Sequence, residues 1–96
     1  MLEKFSLVAN IALVLKIEIE RLAAKSMMRL PNNIVDLIET KIEQLADDPN
    51  SLRNNITRLV GTKESRLRVG DWRIIFRVDG DTLKIIRIAS RGGAYD

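Results

Sequence analysis

The sequence predicts an α+β fold: two antiparallel helices packed on one face of a small, mainly antiparallel sheet. Three observations carry this. Apolar and basic residues alternate from Arg66 to Ile88, the period of two that marks half-buried strands. Two Gly/Asp pairs, Gly70-Asp71 and Asp79-Gly80, interrupt that alternation where hairpin turns belong. Upstream, Ile34, Leu37, Ile38, Ile42 and Leu45 recur at helical spacing and stop at Pro49.

Taken in chain order, residues 1–14 form an N-terminal extension and residues 15–96 a single domain, with no repeat or linker inside it. The extension places Leu7, Ile11, Val14 and Leu15 on one helical face, which suits an amphipathic helix. An extension of the first strand and an upstream start codon are the alternatives. From Leu15 to Arg21 the pattern Leu-Lys-Ile-Glu-Ile-Glu-Arg alternates and reads as a strand. Leu22 to Leu30, rich in Ala and Met, reads as a short helix ending before Pro31. In the second helix Asn32 or Asn33 is the expected cap, Asp36 falls in the first turn, and the Met27-Met28 pair packs on its apolar stripe. Asn50 to Lys63 has little periodicity and reads as an irregular loop tethered to the core by Leu52, Ile56 and Leu59.

The last third reads as a three-stranded meander. A turn at Gly70-Asp71 sets Val69 opposite Trp72, Leu67 opposite Ile74 and Arg68 opposite Arg73. A type I′ turn centred on Asp79-Gly80 sets Val78 opposite Asp81, Phe76 opposite Leu83, Ile74 opposite Ile85 and Trp72 opposite Arg87. One face then holds Leu67, Val69, Trp72, Ile74, Phe76, Val78, Leu83 and Ile85, a core. The other holds Arg66, Arg68, Arg73, Arg77 and Lys84, with Ile75 and Ile86 between them, and is basic only. Arg68 facing Arg73 costs stability, since like charges directly across a sheet repel. A face of one sign, rich in arginine, points to a polyanion, and phosphate is the obvious one.

Composition narrows the chemistry. Net charge is only +3, but residues 49–96 hold ten basic and five acidic side chains, against six and eight in residues 1–48. The positive charge therefore lies in the sheet half. With neither cysteine nor histidine, disulfides, thiolate nucleophiles, an imidazole base and the usual metal cages are out of reach, so neither a metal nor a cofactor is expected. No apolar run approaches the roughly 18 residues of a membrane span, and charged Lys16-Ile-Glu-Ile-Glu20 follows Phe5–Leu15 where a signal peptide needs small residues. A cytoplasmic location, away from membranes, is the expectation.

Four segments together resemble the RelE/ParE superfamily of bacterial toxin–antitoxin toxins: Lys41-Ile-Glu-Gln-Leu-Ala-Asp-Asp-Pro, Leu52-Arg-Asn-Asn-Ile-Thr-Arg-Leu-Val-Gly, Arg66-Leu-Arg-Val-Gly-Asp-Trp-Arg-Ile-Ile-Phe and Arg91-Gly-Gly-Ala-Tyr95. The resemblance covers residues 15–96, is closer to the RelE branch than to the gyrase-poisoning ParE branch, and implies a RelE-like fold. It implies a ribosome-dependent endoribonuclease that cuts messenger RNA in the A site, needs no metal, and is neutralised by a cognate antitoxin. In that reaction the ribose 2′-hydroxyl attacks the adjacent phosphate and leaves a cyclic phosphate. Residue by residue, the resemblance assigns catalysis to Arg66, Arg73, Arg91 and Tyr95, and the basic face adds Arg68, Arg77 and Lys84 as phosphate contacts.

Two departures bear on efficiency. Glu64 stands where the RelE pattern has a second lysine, and Gly92-Gly93 follows Arg91. Trp72 and Arg87, both placed on the core face, are expected as a core ring and a stacked rim arginine. Tyr95 either closes the sheet edge or takes part in the site. A gyrase inhibitor and a binding-only homologue are the competing functions.

Overall fold

The computed structural model describes residues 14–90. Strand β1 (Lys16–Ile19) leads into helices α1 (Arg21–Met28) and α2 (Asn32–Asp47). A 3-10 segment, Pro49–Asn55, then enters β2 (Ile56–Arg58), β3 (Ser65–Val69), β4 (Trp72–Asp79) and β5 (Thr82–Ser90). The sheet order is β1-β5-β4-β3-β2, antiparallel except for β1, which lies parallel to β5. The expected α+β layer is therefore present, as are the first strand and the meander.

Local chemistry accounts for the helix limits. Pro31 cannot continue α1 and instead occupies the N-cap of α2, where its carbonyl accepts from the amides of Ile34 and Val35 at 3.0 Å each. Asn32 and Asn33 thus lie inside the helix rather than capping it, no side chain caps either helix, and Asp36 falls beyond the first turn. At the other end the Asp48 amide donates to the Gln44 carbonyl before Pro49 stops the helix. Between Asn50 and Lys63 the expected irregular loop is more ordered, holding the 3-10 turn and β2.

One apolar layer joins helices to sheet. Ile38, Ile42 and Leu45 of α2 and Ala23 of α1 meet Leu67, Ile74, Phe76, Leu83, Ile85 and Ile88. Each such aliphatic side chain contributes about 1.5–3 kcal/mol on burial. Several stripe members behave differently from expectation. Leu37 is 40% exposed and Met28 86% exposed, because their positions turn outward while Ile34 and Met27 pack on the core. Val78, expected inside, lies near the sheet's end and is 48% exposed. Leu59 does not join the core either; its strand parity, following Thr57, sends it to the opposite face.

Candidate nucleic-acid interface

The turn between β3 and β4 has the expected register: Val69 pairs with Trp72, Leu67 with Ile74 and Arg68 with Arg73. Gly70 supplies φ +58° at the first central position and Asp71 has negative φ, the pattern of a type II′ turn. The β4–β5 turn differs from expectation. Its central pair is Gly80-Asp81, with Gly80 at φ +59°, so Asp79 pairs with Thr82 and Val78 with Leu83. Placing glycine first again makes the turn type II′ instead of I′. The register moves by two residues, so no side chain changes face at this end.

A second departure changes the site. Phe76 pairs with Ile85 but Ile75 pairs with Arg87, leaving Ile86 as an extra residue in β5. This β-bulge reverses the parity of the rest of the strand. Strict alternation sends Arg87 to the core and Ile88 to solvent. Across the bulge Ile88 is fully buried opposite Ile74, and Arg87 is exposed opposite Ile75. Burying an unpaired guanidinium costs several kcal/mol and burying Ile88 gains about 1.5–3, so the bulge resolves the conflict. Arg87 is accordingly a member of the basic face and not a rim arginine beside Trp72. The adjacent apolar pair Ile85-Ile86, which breaks the period of two, is the signal in the sequence.

The outer face divides into two electrostatic zones. Near the β4–β5 turn the Arg77 Nε donates to Asp79 Oδ2 at 3.1 Å. Lys84 Nζ lies 3.5 Å from Asp79 and 4.0 Å from Glu18, and Lys16 lies 3.5 Å from Asp81. The Thr82 hydroxyl and the Lys16 ammonium hold the Asp81 carboxyl below its ordinary range. The face is therefore not basic throughout: Arg77 and Lys84, expected to hold phosphate, are already paired with acids. Asp79 shares the parity of Arg77 on β4, and Glu18 on β1 lies beside Lys84 across the parallel pairing with β5.

At the other end, Arg66, Arg68, Arg73 and Arg87 make no ion pair with any described carboxylate. Arg66 lies across from Ile75, and Ile75 from Arg87; Arg68 lies across from Arg73, and Arg73 from Ala89. Two hollows adjoin here. One, of about 320 Å³, is lined by Arg66, Arg68, Arg73, Trp72 and Asp71 of the turn, and by Asn54, Asn55 and Thr57. The other, of about 150 Å³, is lined by Arg66, Arg73, Arg87, Leu59, Ile75 and Ala89, with Ser90. Arg66 and Arg73 belong to both. Trp72 packs against the core with part of its ring and lines the larger hollow, so it serves the packing role expected of it while reaching the site. Arg91 and Tyr95, with Gly92 and Gly93, lie outside the described residues, as does the extension through residue 13. Among the described residues no cluster of His, Cys, Asp or Glu is arranged to hold a metal. No described helix is long and apolar enough to cross a membrane.

Residues 15–95 match the family model described as the ParE toxin of type II toxin–antitoxin systems. The chain belongs to the RelE/ParE superfamily of type II toxins. The toxin superposes on the archaeal RelE–RelB complex of Pyrococcus horikoshii OT3 with a TM-score of 0.71 at 24% identity, covering 84% of this chain and 99% of that one. It is similar to the RelB–RelE antitoxin–toxin complex of Methanococcus jannaschii: TM-score 0.65, 26% identity, 81% and 94% covered. The chromosomal ParDE system of P. aeruginosa shares the fold at 16% identity and a TM-score of 0.67, with 80% and 96% covered. No curated protein matches the sequence significantly. Both branches of the superfamily therefore stand among the toxin's structural neighbours, and the matching family model is that of the ParE toxin.

Proposed function

We propose that the toxin blocks translation by cutting messenger RNA in the ribosomal A site, and that a cognate antitoxin restrains it. The observation that carries this reading is the cluster Arg66, Arg68, Arg73 and Arg87, none of which forms an ion pair with a described carboxylate. Guanidinium groups suit the phosphate diester, because each presents a planar fork to its oxygens. As the 2′-hydroxyl attacks, negative charge grows on the nonbridging oxygens. In this reading Arg73, at the junction of the two hollows, stabilises it, with Arg66 alongside. Arg68 holds a flanking phosphate. Arg91 and Tyr95 enter by their match to the RelE pattern, the tyrosine as proton carrier or base-stacking ring.

A chain without histidine has no ready imidazole base, so positioning and electrostatics must supply most of the rate. Ribosome dependence follows, since the A site fixes the message in the attacking geometry. The neighbouring RelB–RelE complexes support an antitoxin partner, which would set acidic or amphipathic segments against the unpaired arginines. Purified toxin incubated with programmed ribosomes tests the reading: cleavage of bound message well above that of free RNA is expected. Equal cutting of naked RNA removes the ribosome from the account, and intact message under both conditions removes the nuclease. The second reading, gyrase inhibition, is favoured by the description of the matching family; gyrase-dependent DNA breaks with intact transcripts are its signature.

A further inference from the structure

We infer that the smaller hollow, bounded by Arg66, Arg73 and Arg87 over a floor of Leu59, Ile75 and Ala89, is a subsite for one nucleobase and its phosphate. It builds on the proposed function in taking RNA as the ligand, but its chemistry stands on the local geometry. Arg66 and Arg87 flank Ile75 from the two neighbouring strands. At a strand spacing of about 4.8 Å their Cα atoms lie about 10 Å apart. A planar group set down over Ile75 therefore has a guanidinium on either side. Arginine planes stack on bases while their N–H groups still reach a phosphate oxygen.

Size and lining favour a base over a bare anion. The hollow offers about 150 Å³. That is room for one planar ring system, not for two stacked nucleotides. A purely phosphate-binding hollow gains nothing from an aliphatic floor, whereas a base face does. The bulge at Ile86 is what makes the pocket: without it Arg87 leaves the face and the third guanidinium is lost. Because Arg73 also borders the larger hollow, the base held here belongs to the nucleotide next to the phosphate held there.

Calorimetric titration of the full-length toxin with guanosine 5′-monophosphate, ribose 5-phosphate and inorganic phosphate tests the subsite. The nucleotide should bind about tenfold more tightly than ribose 5-phosphate, the gain typical of stacking one base. Ala89→Leu, which fills the floor, should abolish that difference and leave ribose 5-phosphate binding unchanged. Arg87→Gln, at an exposed position that any fold tolerates, should weaken the nucleotide about tenfold. Lys25→Gln on α1 should change neither ligand. Equal binding of nucleotide and ribose 5-phosphate by the unaltered toxin overturns the subsite. So does an Arg87→Gln protein with undiminished nucleotide affinity, a result available even where Ala89→Leu does not fold. Mononucleotide binding needs no ribosome. A toxin that discriminates the base yet leaves ribosome-bound message intact overturns the proposed function alone, and one that cleaves without discriminating overturns the subsite alone.

Discussion

Replacing Arg73 by alanine separates a catalytic arginine from a merely tolerated one. Arg73 faces Arg68 across β3–β4 and lines both hollows, on the face opposite the Ile74/Phe76 core. At a separation of about 6 Å in water, two guanidinium groups repel by about 0.7 kcal/mol before salt screening. Alanine's weaker strand preference offsets a few tenths of the relief. Net stability should therefore stay within about 0.5 kcal/mol of the parent, a melting shift of at most about 4 °C for a domain this size. The rate should fall about 100- to 1,000-fold, the usual loss when one preorganised contact to a developing oxyanion is removed. Arg73→Lys should recover only part of it, because a point charge does not reproduce the fork. Single-turnover cleavage on programmed ribosomes reads the rate and thermal melting reads the fold. An Arg73→Ala protein of full activity refutes the catalytic role. One destabilised by more than about 2 kcal/mol shows a structural role that the outward-facing position does not allow.

Other predictions test the supporting geometry. Deleting Ile86 removes the extra residue but keeps Ile75 across from Arg87 and Ile74 across from Ile88, so Arg87 should stay on the outer face and stability by denaturant titration should change by no more than about 2 kcal/mol, whereas Arg87→Ala should cost less than about 0.5. Ile88→Ala should cost about 2–5 kcal/mol in the same assay, as for any fully buried isoleucine. If the four unpaired arginines each neutralise one phosphate of single-stranded RNA, log affinity should fall with log salt at a slope of about −3, and Arg77→Ala or Lys84→Ala should hardly alter it. Asp81 titrates lower when folded than unfolded, so its contribution is present at neutral pH and fades as pH drops through the acid range; Asp81→Asn should flatten that limb of the stability profile.

Much of the fold was legible because simple periodicities report it. Ile34, Ile38, Ile42 and Leu45 mark α2, and Gly70 fixes the β3–β4 register, since a two-residue loop with glycine first admits only one pairing. The bulge was harder to see. A single unpaired residue leaves only a brief break in the alternation, the adjacent apolar pair Ile85-Ile86, and the energetic contrast between Arg87 and Ile88 gives that break its meaning. Of the ion pairs that take Arg77 and Lys84 out of the candidate site, the one between Lys84 and Glu18 was hidden for another reason. Glu18 reaches Lys84 only because β1 docks in parallel beside β5, a contact between segments more than sixty residues apart. Short structure such as β2, three residues held mainly by β3, has too little pattern of its own to read.

Whether this toxin cuts messenger RNA on the ribosome is read by mapping transcript 5′ ends after induced expression in the absence of antitoxin. New ends are expected inside translated reading frames, dependent on ongoing translation and absent for Arg73→Ala. Transcripts that stay intact while growth stops, or new ends that appear equally in untranslated RNA, contradict this expectation.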